Sequence, residues 1–250
     1  VSAETGCATS LMQLRERQYG NPGRMNLQSK FLLRFSLVLI FAAAMLLIPA
    51  GSWRFWRGWA WLAVFFIPNL FFVFYLSRHD PQLLERRMQV KEKVGAQNLI
   101  KAVGGLIFFS SLLLPGLDYR FGWSRKFLRP VPLWLTLLSL ALVLSGFLLV
   151  FWVLRVNSFA ARTIQVEVGQ PVISNGPYRI VRHPMYSGLV VLFLATPLAL
   201  GSCIALPAFT LLIPIMVFRI LNEEKTLCQE LPGYSEYCLR TPFRLVPFIW

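Results

Sequence analysis

RHPMYSGLVVLFLATPLALGSCIALPAFTLLIPIMVFRILNEE, residues 182–224, decides how the rest of the chain is read. Two apolar runs, 188–200 and 203–221, are joined by Gly201-Ser202 and flanked at each end by polar residues. Gly-Ser is a turn signal, so the stretch predicts a helical hairpin over 184–221 that returns both polar flanks to one membrane face. The first arm is shorter than the roughly 20 residues a spanning helix needs. Unless its helix begins at 184–187, it reaches only part way across. Proline pushes the residue before it out of the helical region and itself suits the first helical position. His183 is therefore predicted at the N-cap of the first arm. The free N–H groups of that first turn would face the interface, ready for an anionic group. At the far end of the second arm, Arg219 and Glu223 are four apart and share a helix face, with Asn222 beside them.

Four more apolar runs precede the hairpin, at 31–50, 59–76, 99–117 and 131–154. The composition agrees with membrane spans: 56% of the 250 residues are hydrophobic and 14% are charged, where a soluble domain carries about 25% charged residues. The fold class expected is all-α and integral to the membrane. It is a bundle of five to six transmembrane helices with a small cytoplasmic cap, formed by the loop 155–187 and the C-terminal tail. The organisation expected is a polar tail at 1–30, helices one to four over 31–154, and a catalytic region over 155–250. Val1 opens the chain, and Met25 is read as a natural start with a tail before it. From Met25, the first run also has the outline of a signal peptide ending near Ala50, but its length favours an uncleaved span.

The net charge of +14 would suggest nucleic acid in a soluble protein. Here the basic residues lie between apolar runs and no basic-aromatic module is present. Anionic lipid headgroups are the expected partner, and nucleic acid is not. With a cytoplasmic N-terminus and six crossings, inside segments hold 17 Lys and Arg and outside segments 6. That bias puts residues 176–186 and the tail on the cytoplasmic face. The outside six, Arg54, Arg57, Arg120, Arg125, Lys126 and Arg129, are a conspicuous exception to it. Four cysteines without a C-x-x-C pair, and two histidines, His79 and His183, argue against structural zinc or a disulfide scaffold. No metal is expected.

Between the fourth run and the hairpin, Ile164, Val166 and Val168 alternate with Gln165 and Glu167, a weak strand signal. Gly169 permits a turn, after which Val172-Ile173 is expected to pair back. Gly176-Pro177 is a second turn. Taken singly, several of these residues have plainer readings. Arg179 and Arg182 suit headgroup contacts, Tyr178 and Tyr186 an interfacial belt, and Glu224 a solvated surface. His79-Asp80-Pro81 reads as a turn and helix start.

As an ordered set the residues resemble the isoprenylcysteine carboxyl methyltransferase family of integral membrane methyltransferases. The pattern is Gly176-x-Tyr178, Arg182-His183-Pro184-x-Tyr186, then Arg219, Glu223-Glu224, Leu227, Gly233-Tyr234, Tyr237 and Arg244-Leu245-x-Pro247. The resemblance implies S-adenosylmethionine as cofactor. It implies that His183 and Tyr186 contact it, with Tyr178 nearby, Gln165 and Gln170-Pro171-Val172-Ile173 contributed by the preceding segment, and Glu223 as a cofactor-binding carboxylate. Arg219 matches an arginine that positions the acceptor carboxylate, so Arg219 and Glu223 carry the catalytic assignment. The acceptor expected is lipophilic, either a small molecule or a lipidated chain. Phospholipid amine methyltransferases and membrane sterol or enone reductases using NADPH share similar C-terminal motifs and are the alternatives. A non-enzymatic membrane component would leave the paired motifs unexplained.

Overall fold

The computed structural model describes residues 27–88, 95–160, 166–167 and 169–250. Among them the secondary structure is helical throughout: α1 (Leu27–Ala50), α2 (Trp56–His79), α3 (Pro81–Met88), α4 (Gly95–Ser111), α5 (Leu113–Phe121), α6 (Trp123–Phe127), α7 (Leu133–Val156), a 3-10 turn (Gly176–Arg179), α8 (Pro184–Ala199), α9 (Leu206–Thr210), α10 (Leu212–Glu230) and α11 (Tyr234–Arg240). Residues 1–37, of which 27–37 are described, form a unit of their own; residues 38–250 form a second.

Five stretches are long and apolar enough to cross a membrane: Phe31–Ala50, Trp56–His79, Gln97–Phe121, Leu133–Val156 and Leu206–Glu230. Their outward faces carry Ile48, Ile67, Leu106 and Leu148, all exposed. Such faces are stable only against hydrocarbon, and the protein is integral to the membrane. The first arm of the hairpin is the sixth apolar helix. It does begin at Pro184, yet at 16 residues it stays below spanning length. The second arm extends beyond Leu221 to Glu230, because Glu223-Glu224-Lys225 continue the helix as it leaves the apolar zone. The third run is two helices meeting at Leu112, close to Pro115.

The hairpin is anchored by α7. Gly146 and Gly188 face one another so closely that a Cβ on either would lie 2.7–2.8 Å from the other's carbonyl oxygen. Small residues permit this backbone approach between apolar helices. Trp61 on α2 donates from Nε1 to the fully buried Thr196 Oγ1 at 3.1 Å, tying α2 to α8. Phe65 and Phe72 of α2 pack on Phe147 and Phe151 of α7, with ring centroids 5.1 and 5.0 Å apart. The start of α8, and so His183, is thereby fixed relative to two spanning helices.

Of the expected strand, Ile164, Gln165 and Val168 lie outside the described residues, and no ladder joins 166–167 to 170–174 among those described. Gln170 donates its N–H to the Glu167 carbonyl and accepts the Glu167 N–H at Oε1, both at 3.1 Å. This local turn, with Gly169 at φ +76°, uses the groups a ladder would need. Val166 and Val172 instead pack against Leu231, Tyr234 and Tyr237. Burial on this apolar cluster has taken the place of the ladder. The loop is also held from below: Arg86 on α3 grips Glu167 at 2.7 and 2.8 Å and donates to the Ser158 carbonyl. Arg87 donates to the Ala160 carbonyl at 2.9 Å. His79-Asp80-Pro81 is the helix start expected, with Asp80 Oδ1 accepting the Leu83 N–H.

Candidate active site

His183 is the N-cap residue of α8, with Pro184 in the first turn, but its side chain does not cap the helix. The C-terminal tail crosses over this point. Arg182 and His183 donate their N–H groups to the carbonyls of Phe243 and Arg244, each at 2.9 Å, and Ser187 Oγ donates to the Leu245 carbonyl at 2.6 Å. The tail motif Arg244-Leu245 is thus a strap over the Arg-His-Pro turn, held by two backbone bonds and the Ser187 hydroxyl.

The two polar flanks of the hairpin meet beneath that strap. Tyr186 on α8 donates from Oη to Glu223 Oε2 at 2.8 Å and accepts from Arg219 Nε at 2.9 Å, both on α10. Arg219 and Glu223, one turn apart, thus address one phenol rather than each other. Arg219 Nη1 also donates to Oε1 of the buried Gln97 on α4, at 3.2 Å. His183 Nδ1 lies 4.0 Å from Glu223 Oε1.

Glu224, read as solvated surface from sequence, is buried. Its Oε1 sits 3.0 Å from Arg182 Nε and 3.3 Å from His183 Nε2, and its Oε2 accepts from Arg244 Nε at 2.7 Å. Arg182 is correspondingly no headgroup ligand, with its side chain 8% exposed. Successive helical residues differ by about 100° in direction. One glutamate therefore points into the protein, where a buried carboxylate requires charge partners, and the other points toward Tyr186.

Tyr178 joins the site from the loop. Asn157 Nδ2 donates to its Oη at 2.8 Å, and Tyr237 Oη donates to its backbone carbonyl at 2.8 Å. Burial, reinforced by the Glu223 carboxylate, pushes the Tyr178 phenol up to about 12, against the opposing effect of the Asn157 hydrogen bond. Neither Tyr178 nor Tyr186 is a belt residue; both are built into this network. Val172 packs on the Leu231–Tyr234–Tyr237 cluster. Gln170 commits its side-chain carbonyl to the local turn, and Pro171 is exposed. Neither they nor Ile173 hydrogen-bond to His183, Tyr186, Arg219 or Glu223 among the described residues. Gln165 lies outside the described residues.

Gln97, Asn157, Ser187 and the Arg182–Glu224–Arg244 cluster were not assigned from sequence. A polar residue at the mouth of an apolar run, as Gln97 is, was the available signal for the first of them. Beside Arg219, an apolar groove of about 270 Å³ opens between α4 and α10, lined by Leu99, Ile100, Val103, Ile215 and Phe218. No cluster of three or more metal-ligating side chains occurs among the described residues.

Parts of the chain are similar to known proteins. Residues 134–232 match the family described as Phospholipid methyltransferase. The chain is 32% identical over 91 residues to the Delta(14)-sterol reductase TM7SF2 of Mus musculus, which is 35% of this chain and 22% of that protein. It is 30% identical over 125 residues to the cobalt-zinc-cadmium resistance protein CzcN of Cupriavidus metallidurans, 48% of this chain and 51% of that one. The chain thus covers about half or less of each of these relatives. The stretch similar to the phospholipid methyltransferase family, residues 134–232, is the one that supplies the Arg-His-Pro turn, Tyr186, Arg219 and Glu223.

Proposed function

We propose that the protein is a membrane methyltransferase that uses S-adenosylmethionine to methylate a carboxylate on a lipophilic acceptor. The observation that carries this reading is the Arg219–Tyr186–Glu223 arrangement beside the apolar groove. It sets a cation and an anion about one hydroxyl apart at the edge of the hydrocarbon.

The residues present fit the cofactor. Glu223 is 27% exposed at its side chain, and among the described residues its contacts are the Tyr186 hydroxyl and His183 at 4.0 Å. It is suited to face a cationic sulfur or ammonium group. The first-turn N–H groups of α8 lack helical acceptors and favour a carboxylate. The backbone of residues 171–174 makes no hydrogen bond within the described protein, which leaves extended donors and acceptors for a planar base. When bound, S-adenosylmethionine supplies an electrophilic methyl whose bonding electron pair stays with sulfur. The chain's task is positioning, where bimolecular steps of this kind gain most. Tyr186 holds the Glu223 carboxylate and the Arg219 guanidinium in fixed relation. Arg219 offers N–H groups to an anionic acceptor, and Gln97 fixes the plane of the guanidinium. An acceptor carboxylate is ionised at neutral pH, so no base is needed, and its apolar portion lies toward Leu99 and Phe218. An ammonium acceptor would meet the charge of Arg219 and would have to lose a proton first. That favours carboxylate over amine.

We assign the site to the cytoplasmic face on the distribution of Lys and Arg. The similarity to a sterol reductase supports the second reading, NADPH-dependent reduction. Both readings are tested by thermal unfolding in detergent with S-adenosylhomocysteine or NADPH, since a ligand of the folded state raises the midpoint. Stabilisation by NADPH alone would overturn the methyltransferase reading. Product chemistry tests the acceptor: methyl esters release methanol in mild base, whereas N-methyl groups do not. Base-stable label in the lipid extract would reject the carboxylate.

A further inference from the structure

At the other end of the bundle, 16 residues of α8 away from His183, the hairpin turn at Gly201 meets α2, α5 and α6. A cavity of about 180 Å³ lies there, lined among others by Arg57, Asp118, Tyr119, Ser124, Arg125 and Gly201. It has room for several waters, and so for a tetrahedral oxyanion. Residues 51–57 and 118–134 hold six Arg or Lys against one acid, Asp118. These six are the residues that break the charge bias between the two faces.

The acid does not neutralise them. Asp118 is buried and accepts from Ser124 at both oxygens, from the N–H at 2.7 Å and from the hydroxyl. Ser124 Oγ in turn accepts the Cys203 N–H at 3.2 Å, which ties the hairpin turn to α6. Arg57 donates Nη2 to the Val131 carbonyl at 2.9 Å and packs so tightly on Gly201 that a Cβ there would lie 2.1 Å from its Nη1. Arg57 has no carboxylate partner, and Arg125 has neither a hydrogen bond nor an ion pair, among the described residues. The two guanidiniums, from α2 and α6, are near enough for their like charges to oppose one another. Trp56 lines the cavity, and Trp53, Trp59, Phe127 and Trp134, close in sequence to its lining residues, are exposed; aromatic belts of this kind mark the headgroup level of a bilayer.

We propose that this cavity binds the phosphodiester of an anionic phospholipid, with Arg57 and Arg125 as its charged ligands, on the face opposite the Arg219–Glu223 site. Its chains would lie along the apolar surface below the tryptophans, and its phosphate would relieve the repulsion between the two arginines. The bound lipid would clamp the hairpin turn against α2 and α6.

The test is native mass spectrometry and thermal unfolding of the detergent-solubilised full chain, titrated with dioleoyl phosphatidylglycerol, dioleoyl phosphatidylcholine or inorganic phosphate. Phosphatidylglycerol is expected to be retained and to raise the unfolding midpoint, phosphatidylcholine to do so far less, and inorganic phosphate to give no matching rise at equal concentration. Arg125→Gln removes one charge-assisted contact and should weaken phosphatidylglycerol about tenfold. Because Arg125 has no hydrogen-bond or ion-pair partner among the described residues, its replacement should leave the lipid-free midpoint in place. Arg57→Gln removes a structural contact as well and is the less informative variant. Lys126→Gln, altering a cation that does not line the cavity, should bind as the wild type does. Equal retention of the two lipids, an unchanged affinity in Arg125→Gln, or a full midpoint rise from inorganic phosphate alone would overturn the assignment.

Discussion

Glu223 and Glu224 are adjacent in sequence, yet replacing each by glutamine should have opposite consequences. Glu224 compensates Arg182, whose side chain is 8% exposed, at 3.0 Å, and Arg244, 30% exposed, at 2.7 Å. Glu224→Gln leaves the Arg182 guanidinium buried without its counter-charge. Breaking a buried pair costs about 3–5 kcal/mol. The retained amide oxygen and the partial exposure of Arg244 place this case near the lower bound, at about 3 kcal/mol. For a chain of this size a loss of 1 kcal/mol lowers the midpoint by about 2–4 °C, so a fall of roughly 6–12 °C is expected. Glu223→Gln keeps an acceptor for Tyr186 and sits in a 27% exposed side chain. Its midpoint should stay within about 2 °C, while S-adenosylhomocysteine binding should weaken at least about tenfold, or about 1.4 kcal/mol. Tryptophan fluorescence melts with and without S-adenosylhomocysteine read both quantities. If Glu224→Gln unfolds with the wild type while losing ligand binding, or if Glu223→Gln is the destabilised variant, the division between buried brace and ligand carboxylate is wrong.

Arg219→Lys keeps the charge but not the planar fork; it should raise the acceptor KM about tenfold or more in a methyl-transfer assay, with S-adenosylhomocysteine binding unchanged. Gly188→Ala introduces a Cβ 2.8 Å from the Gly146 carbonyl oxygen. Overpacking of this kind costs about 1–3 kcal/mol, and turnover should fall with the midpoint because α8 carries His183 and Tyr186. Tyr178 ionises at about 12 in the folded protein, against about 10 in an unfolded chain. The folded state therefore holds the extra proton between these values, and stability should decline as pH rises from about 10 toward 12. Tyr178→Phe should make that decline shallower in melts recorded from pH 9 to 12.

The spanning helices and the start of α8 were readable from residues alone, for local reasons. A run of about 20 apolar residues has few other fates, and the proline after His183 disfavours helix before it and suits the first helical position. The hairpin was readable because Gly201-Ser202 interrupts two apolar runs. Arg219 and Glu223 could be placed on one face by spacing. What they touch could not, because spacing says nothing about the partner helix. Only the tertiary structure brought Tyr186 between them, set Gln97 behind Arg219, and strapped the tail over His183. It also turned Glu224 inward onto Arg182 and Arg244. Val172-Ile173 reads as the returning half of a strand pair, but Val172 packs on Tyr234 and Tyr237 and the backbone of both stays unpaired among the described residues. Periodicity along one segment fixes what that segment can be. Which of its side chains are buried, paired or left open depends on neighbours tens of residues away, and those are chosen by packing.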